Sequence, residues 1–404
     1  MKYMVLIADG MADYPVDFLG GKTPMEAAHT PNMDRLAPHS VVGLVKTIPD
    51  GYPPGSDVAN MSVMGYDPAR YYTGRSPLEA VSLGLELGPQ DLALRCNLVC
   101  LSSAPDYMDR TMLDYSAGEI ETEQAEELIW ALQAELNDHE FSFHPGISYR
   151  HVLLWHGAGE QELHTTPPHD ISDRNISAYL PQGSGGSALL RLMQRSCDLL
   201  QEHPVNQKRR ERGLAPATAI WLWGQGNKPN FDSFYARRGL HASVVCAVDL
   251  VRGLGIAAGM RTVKVTGATG AVKTDFSAKA QAAMAELKAG QDLVFLHIES
   301  ADEAGHQGDA ALKVWSIEQI DRLALGPILQ ESAELKEFRL LLLPDHPTPI
   351  AIKTHSSDPV PFLYWDRNHP QTGPHCYCEA TAVAGGIYYG SGPALIEDFI
   401  KIRN

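Results

Sequence analysis

Short apolar runs that end in polar or glycine residues recur along the chain and predict buried strands. The clearest are "YMVLIADG" (3–10), "AIWLWGQG" (219–226), "DLVFLHIES" (292–300) and "RLLLLPDHP" (339–347). Continuous apolar runs of this length, bounded by turn residues, are typical of strands that are buried on both faces. We therefore predict that these four runs form strands of one central sheet.

Helical patterns lie between these runs. "SAKAQAAMAELKAG" (277–290) begins at Ser277, a predicted N-cap, and stops at Gly290. "ALKVWSIEQIDRLALGPIL" (311–329) carries apolar residues at helical spacing. Strands that alternate with helices of this size predict an α/β fold, with a doubly wound, mostly parallel sheet covered by helices on both faces.

The middle of the chain has a different pattern. A Glu-rich amphipathic helix is predicted within 114–138, an antiparallel hairpin over 141–157, and a solvated connection at "NQKRRERG" (206–213). A chain of 404 residues is long for one domain. We therefore predict a discontinuous core, 1–85 and 215–404, into which a smaller α+β domain, 86–214, is inserted.

Composition narrows the class of function. The net charge of −16 argues against a nucleic-acid partner or an anionic membrane surface. The six cysteines include no C-x-x-C pair, which argues against a thiolate zinc site and a disulfide framework. The apolar run at the N-terminus is too short for a signal peptide, and no stretch approaches a membrane span. We expect a cytoplasmic protein.

Aspartate and histidine residues cluster at predicted strand ends and tight turns. Buried carboxylates repel one another unless cations neutralise them. Oxygen and nitrogen ligands without a thiolate suit two divalent ions, manganese or zinc. The candidate ligands are Asp9, Asp302, His306, Asp345, His346 and His355.

Ser56 follows a stiff turn formed by Pro53, Pro54 and Gly55. One interpretation is that it caps a helix that begins at Asp57. The other is that it is a nucleophile activated by a nearby metal or base, with its phosphoryl group against the free N–H groups of the helix. Ser62 lies among apolar residues and is predicted to serve packing only.

These motifs occur in the order used by the alkaline phosphatase superfamily, and the chain resembles the archaeal-type, cofactor-independent phosphoglycerate mutases within it. The resemblance extends to "GRSPLEAVSLGLEL" (74–87), "SYRHVL" (148–153), "PPHDIS" (167–172) and "VTGATGAVKTD" (265–275), and it covers essentially the whole chain. Ala59–Asn60 stands where the longer bacterial type carries Gly-His, so the chain is more similar to the shorter type.

The resemblance implies an alkaline-phosphatase-like fold and interconversion of 2-phosphoglycerate and 3-phosphoglycerate through a phosphoserine on Ser56. It implies two divalent ions, Mn²⁺ in the first place with Zn²⁺, Co²⁺ and Mg²⁺ as alternatives, and no 2,3-bisphosphoglycerate. By similarity, one ion is held by Asp9, Ser56, Asp345 and His346 and the other by Asp302, His306 and His355.

A small anionic substrate needs cationic and hydrogen-bonding partners beyond the metals. Arg150, His151 and Asp170 are predicted to bind it from the inserted domain, and Arg150 is suited to a bidentate carboxylate contact. Lys228 and Lys273 are predicted phosphate partners from the core. The competing explanation for Arg150, His151 and Asp170 is a surface ion pair or a loop cap. For Lys228 and Lys273 it is a solvated lysine without a ligand.

The ligand set leaves other functions open. A phosphatase or phosphodiesterase would use the same metals, with water resolving the phosphoserine, and a phosphopentomutase-like enzyme would act on a sugar phosphate. A metal-binding protein without catalysis would lack a ligand or the nucleophile, yet all seven residues are present. The inserted domain, which could close on the core and exclude water, favours the mutase.

Overall fold

Two β-sheets organise the computed structural model, which describes residues 1–401. The strands, numbered in chain order, are β1 (Lys2–Ala8), β2 (Ser40–Val45), β3 (Leu92–Leu101), β4 (Met112–Asp114), β5 (Phe141–His144), β6 (Arg150–Trp155), β7 (Ala219–Asn227), β8 (Ala242–Val245), β9 (Arg261–Val263), β10 (Leu293–Ile298), β11 (Phe338–Leu343), β12 (Val360–Asp366) and β13 (Tyr388–Tyr389).

The α-helices are numbered in the same way. They are α1 (Pro24–Ala27), α2 (Pro31–Leu36), α3 (Ser56–Val63), α4 (Pro68–Tyr71), α5 (Ser76–Ser82), α6 (Thr122–Leu136), α7 (Gly186–Gln201), α8 (Pro204–Glu211), α9 (Phe234–Arg238), α10 (Asp249–Ala257), α11 (Phe276–Lys288), α12 (Ser300–Gln307), α13 (Ala310–Gln319), α14 (Gly326–Ser332), α15 (Glu379–Ala384) and α16 (Gly392–Ile400). The amphipathic helix and the hairpin predicted for the middle of the chain are confirmed as α6 and β5–β6.

The chain divides into two units. One comprises Met1–Tyr72 and the described residues from Asn230 onward, and the other is Thr73–Pro229. The second unit is wider at both ends than the predicted insert, 86–214. The reason is that α5 and β7 belong to it, since both pack on β3.

The first unit contains an eight-stranded sheet in the order β13-β2-β12-β11-β1-β10-β8-β9. Only β12 runs antiparallel to its neighbours within this described sheet, so the predicted mostly parallel α/β sheet is confirmed. Met4 and Leu6 of β1 join the apolar cluster of α11 and α14 on one face. Tyr3 packs on Phe399 of α16, so helices lie on both faces.

The parallel register sets where the strands end. Ala8 of β1 lies opposite Ile298 of β10, and Ile7 lies opposite Leu343 of β11. The carboxyl ends of the three central strands therefore meet at one edge, which is the usual ligand-binding edge of open α/β sheets.

The second unit is built on β3, which pairs antiparallel with β6, β7 and β4. The prediction that 219–226 belongs to the central sheet is wrong, because this run, β7, pairs with β3. Its apolar pattern shows that the strand is buried but not which strand it pairs with. The second sheet carries α6 and α7 on one face and α5 on the other.

Three local predictions need correction. The stretch 206–213 is not a solvated connection, because most of it lies in α8, where Arg209 is buried and donates to the Ala117 and Ala215 carbonyls. The N-cap of α11 is Asp275 rather than Ser277, since Asp275 accepts from the Ala278 N–H. The pattern over 311–329 is interrupted by a π-helical stretch, Ile320–Leu325.

All six cysteines are unpaired thiols. Among the described residues, the helices include none that has both the length and the apolar character needed to cross a membrane.

Candidate active site

Ser56 is the first residue of α3, and Gly55, not Ser56, is the N-cap. The N-cap makes no side-chain hydrogen bond, and the Val58 N–H of the first turn donates to Asp57 Oδ1 rather than to Ser56, so the expectation that Ser56 caps a helix beginning at Asp57 is wrong. The Ser56 hydroxyl instead lies 2.9 Å from His346 Nε2. Ser62 is buried and accepts from the Gly392 N–H, in line with its predicted packing role.

Asp9, Asp345 and His346 form a first group of donor atoms that all lie within 4.8 Å of one another. Asp9 directly follows β1, and Asp345 and His346 follow β11, so the shared strand edge brings them together. His346 Nε2 lies 3.4 Å from Asp345 Oδ2 and 3.6 Å from Asp9 Oδ1. All three side chains are buried.

Asp302, His306 and His355 lie beside this group. The first two are four residues apart on α12 and share a face, as predicted, with 3.3 Å between His306 Nε2 and Asp302 Oδ2. His355 Nε2 lies 3.5 Å from Asp302 Oδ1 and 3.0 Å from His306 Nε2. A second group, Asp302, His346 and His355, also has its donor atoms within 4.8 Å, so His346 belongs to both groups.

Gly10 allows β1 to approach α12 this closely. Its φ of +63° lies in the left-handed region, and a Cβ there would stand 2.6 Å from the Asp302 Cα. Any residue with a Cβ is disfavoured at this position, both by the backbone conformation and by the lack of space. In the "ADG" sequence, the aspartate thus supplies a carboxylate and the glycine leaves space for Asp302.

The pKa values of this cluster are strongly shifted. Burial raises the pKa of Asp9 well above its usual range, and the carboxylates of Asp345 and Asp302 raise it further. Burial would also raise the pKa of Asp302, but contacts with His306 and His355 outweigh it and hold the pKa well below its usual range. Burial lowers the pKa of His346 to about 4. Asp9 therefore needs added positive charge nearby to be ionised beside the other two carboxylates.

The donor spacing fits divalent cations. Ligand atoms bound at about 2.1 Å in a tetrahedron stand about 3.4 Å apart, which is close to the His346–Asp345 and His306–Asp302 separations. Asp9 Oδ1 is buried and has no hydrogen-bond partner within residues 1–401. An oxygen-rich set without thiolate suits Mn²⁺ or a similar ion.

Three further polar groups tie the candidate ligands together and were missed in the sequence. The buried Asn60 amide donates to the Ser56 carbonyl at 2.9 Å and to Asp345 Oδ2 at 2.6 Å. The Thr348 hydroxyl donates to Asp302 Oδ1. The Lys353 carbonyl lies 3.0 Å from His306 Nδ1. Of these three, only Asn60 could have been noticed in the sequence, because it is a polar residue among the apolar residues of a predicted buried helix.

A buried row of charged residues behind Asp9 was also missed. His297, Glu299 and Lys279 continue from Asp9 into the core. Burial would lower the pKa of His297, but its contacts with the Asp9 and Glu299 carboxylates raise it to about 10. The signal in the sequence was His297 within an otherwise apolar strand.

Arg150 and His151, two predicted substrate partners, are neighbours at the start of β6. Arg150 is exposed, and its guanidinium stacks over the Tyr149 ring at 5.3 Å. His151 is only 1% exposed; its Nδ1 accepts from the Gly146 N–H, and its Nε2 has no hydrogen-bond partner in the described chain. Burial, with Arg95 and Arg150 nearby, lowers the pKa of His151 to about 3, so this imidazole is neutral.

The other three candidates are all exposed. Asp170 is exposed in a 3₁₀ turn, Pro168–Ile171, 3.7 Å from His169. Lys228 is exposed at the end of β7, and its assignment to the core is wrong because it lies in the second unit. Lys273 is exposed in the first unit, in the loop before α11.

A second arginine stands on the same sheet as Arg150. Arg95 is buried, its guanidinium lies 3.1 Å from Glu79 and stacks over the Trp223 ring at 5.2 Å, and its Nε has no hydrogen-bond partner among the described residues. Arg75 also contacts Glu79, at 3.2 Å. Three arginines therefore surround one carboxylate, since Glu79 is also within electrostatic range of Arg150. Within this group, the three arginines outnumber the one carboxylate.

Comparison with known proteins identifies the family. A profile of the family described as 2,3-bisphosphoglycerate-independent phosphoglycerate mutase matches residues 37–206. A protein of that name from Methanosarcina barkeri is 48% identical over 405 residues and covers all of both chains. A probable enzyme of that name from Geobacter sulfurreducens is 47% identical over 398 residues, 98% of this chain and 99% of its own.

A solved structure is also similar. The PH0037 protein from Pyrococcus horikoshii has a TM-score of 0.82 and 30% identity, and the match covers 100% of this chain and 99% of that one. The sequence relatives span nearly the whole chain, and so does this structure. The chain therefore belongs to the family of 2,3-bisphosphoglycerate-independent phosphoglycerate mutases.

Proposed function

We propose that this protein interconverts 2-phosphoglycerate and 3-phosphoglycerate through a phosphoserine on Ser56. The observation that carries the proposal is the Ser56 hydroxyl, 2.9 Å from His346 Nε2, at the rim of a buried Asp/His cluster. A nucleophile beside a site that can hold divalent cations is the arrangement that phosphoryl transfer requires. The family membership of the chain supports the same activity.

Two divalent cations would be held by the cluster. Bound there, they supply positive charge that polarises phosphoryl oxygens and offsets the mutual repulsion of the three carboxylates. Mn²⁺ is our first choice because the donors are oxygens and imidazoles. One cation would be held by Asp9, Ser56, Asp345 and His346, and the other by Asp302, His306 and His355.

The position of Ser56 suits a covalently held phosphoryl group. Ser56 is the first residue of α3, whose N-cap, Gly55, contributes no side-chain hydrogen bond; among the first-turn N–H groups, that of Val58 is bonded by Asp57 Oδ1. Free N–H groups at a helix start stabilise phosphate oxygens. Asn60 donates to the Ser56 carbonyl from one turn along the helix, which holds the backbone that carries the hydroxyl.

The glycerate carboxylate is assigned to Arg150, because it is exposed and its guanidinium is oriented by stacking on Tyr149. The buried Arg95 adds positive charge beside it. His151, being neutral and buried, serves as a hydrogen-bonding group rather than a cation. Asp170 is assigned to a glycerate hydroxyl, and the exposed Lys228 and Lys273 to the phosphate. The second unit is thus proposed as the substrate-binding part of the enzyme.

The reaction needs no 2,3-bisphosphoglycerate, since Ser56 stores the phosphoryl group while glycerate reorients. We also propose a cytoplasmic location, which the six unpaired thiols support.

The test is to incubate the purified protein with 3-phosphoglycerate and MnCl₂ and to follow the products by ³¹P NMR. Formation of 2-phosphoglycerate to a constant ratio, without free phosphate, is the expected result. Accumulation of inorganic phosphate without 2-phosphoglycerate would instead identify a phosphatase. The Asp302→Asn variant is the control, because it removes a candidate ligand and should form neither product.

A further inference from the structure

Four ionisable side chains form a buried row that starts at Asp9 and runs into the core of the first unit. His297 lies in β10, next to β1, and its Nε2 is 3.3 Å from Asp9 Oδ2. Its Nδ1 is 3.2 Å from Glu299 Oε1, and Glu299 Oε2 pairs with Lys279. Each of these side chains is at most 5% exposed.

The far end of the row is firmly held. Glu299 Oε1 also accepts from the Ala247 N–H at 3.3 Å. Lys279 Nζ donates to the His297 carbonyl at 3.3 Å and to the Thr269 carbonyl at 3.4 Å. Both carboxylate oxygens of Glu299 are therefore engaged, and the ring of His297 is fixed through Nδ1.

The near end of the row is directed at the candidate metal site. The two oxygens of Asp9 diverge, since Oδ2 faces His297 and Oδ1 faces His346. Oδ1 has no hydrogen-bond partner within the described chain. His297 therefore lies in ion-pair contact with one oxygen, although its Nε2 makes no hydrogen bond within the described chain, and it leaves the other oxygen free for a ligand.

Packing alone does not account for the row. Burying ionised groups costs several kcal/mol each, and apolar residues of similar volume would serve a sheet interior at least as well. The remaining described residues of β10 are apolar. The row thus stands at the one end of β10 that adjoins the donor cluster.

We infer that His297 is a positioning residue that holds the Asp9 carboxylate with Oδ1 presented to a divalent cation, and that Glu299 and Lys279 hold His297 in turn. This inference rests on the proposed function only in requiring that the cluster binds a cation. Charged or polar groups that contact metal-binding side chains from behind fix their orientation and typically contribute 10- to 100-fold to metal affinity.

The experiment titrates MnCl₂ into the metal-free protein by isothermal calorimetry, with wild type, His297→Gln and Glu299→Gln compared. We expect His297→Gln to weaken Mn²⁺ binding at one site by about 10- to 100-fold, and Glu299→Gln to weaken it in the same direction by less. The double variant should bind little more weakly than His297→Gln alone, because both changes break one row. The visible spectrum of the Co²⁺-loaded protein, which reports ligand geometry, should shift in the same variants.

Asp366→Asn is the matched control. Asp366 forms a buried ion pair with Arg339 at 2.7 Å, at the opposite end of the same sheet, where Arg339 lies opposite Tyr3. Its loss should lower the melting temperature without changing Mn²⁺ affinity. If His297→Gln does not fold, Glu299→Gln, which retains the histidine, decides the question.

Two failures are distinguishable. Wild-type Mn²⁺ affinity and an unshifted Co²⁺ spectrum in the folded variants would overturn the positioning role and leave the proposed function intact. Absence of Mn²⁺ binding to the wild-type protein would overturn the proposed metal centre, and the positioning role with it.

Discussion

The Ser56 hydroxyl and His346 Nε2 are 2.9 Å apart, although 290 positions separate the two residues in the chain. Two sheet-edge loops are needed to bring them together, one leading into α3 and the other following β11. This contact places the Ser56 hydroxyl beside one of the candidate ligands, His346, and the N-cap of α3 is Gly55. Separate experiments can test the role of the hydroxyl, the hydrogen bonds and close packing around the cluster, and the protonation of the buried side chains.

Replacing Ser56 by alanine should lower turnover by at least about 1,000-fold, as expected for loss of a nucleophile. The melting temperature should change little, because Ser56 is partly exposed and does not cap α3. Ser62→Ala is the control: it loses a buried bond to the Gly392 N–H, so it should cost about 1 kcal/mol of stability and keep turnover. Retained activity in Ser56→Ala would show that another residue is the nucleophile.

Asn60→Ala should lower both stability and turnover. The amide bridges the Ser56 carbonyl and Asp345, and leaving these acceptors unpaired costs about 1–3 kcal/mol. Asn206→Ala is matched, because Asn206 is equally buried and bridges the Leu200 and Ala217 carbonyls in the second unit. Stability measured in urea should fall in both variants, but only Asn60→Ala should slow turnover; equal turnover in the two would refute the role of Asn60.

Gly10→Ala should be far more harmful than Gly20→Ala. Both glycines have positive φ, which costs an alanine about 1–2 kcal/mol, but the space at Gly20 is open, whereas a Cβ at Gly10 would strike Asp302. We expect Gly10→Ala to lose Mn²⁺ binding as well as stability. Calorimetric titration with MnCl₂ checks this, and similar behaviour of the two variants would contradict the close approach described at the site.

Mn²⁺ binding should release protons and strengthen as pH rises. Burial, together with Asp345 and Asp302, raises the pKa of Asp9, so this carboxyl holds its proton to a higher pH in the metal-free protein than it does beside a bound cation. Affinity should therefore increase up to about tenfold per pH unit while this proton is lost. Titrations in two buffers of different ionisation enthalpy count the protons, and a count of zero would contradict the shifted pKa.

His151 should make the protein lose stability on mild acidification. Its pKa is about 3 in the folded protein and 6.5 in the unfolded chain, so the unfolded chain takes up the proton first as pH falls below 6.5. Stability is full above pH 6.5 and is lost toward pH 3, by about 1.4 kcal/mol per pH unit for this group.

The variant His151→Gln removes that contribution. Its urea midpoint should fall less steeply than that of wild type as pH is lowered from 6.5. Parallel curves for the two proteins would show that His151 is not a neutral buried group.

Much of the site could be predicted because strand ends are visible in a sequence. Asp9 and Asp345 each follow an apolar run, and parallel strands bring such ends to one edge. The pairing of β7 with β3 could not be predicted, because hydrophobic periodicity reports burial and not the neighbouring strand. Asn60 and His297 were missed for a related reason: a single polar residue in an apolar run does not indicate what it contacts.

The most direct test of the account is to trap the phosphoryl group. The protein is mixed with MnCl₂ and 3-phosphoglycerate, quenched in acid within the first turnovers, digested and analysed by tandem mass spectrometry. The account predicts one phosphopeptide, modified at Ser56 and absent from Ser56→Ala. A phosphoryl group on another residue, or turnover to 2-phosphoglycerate with no phosphorylated peptide at any quench time, would contradict it.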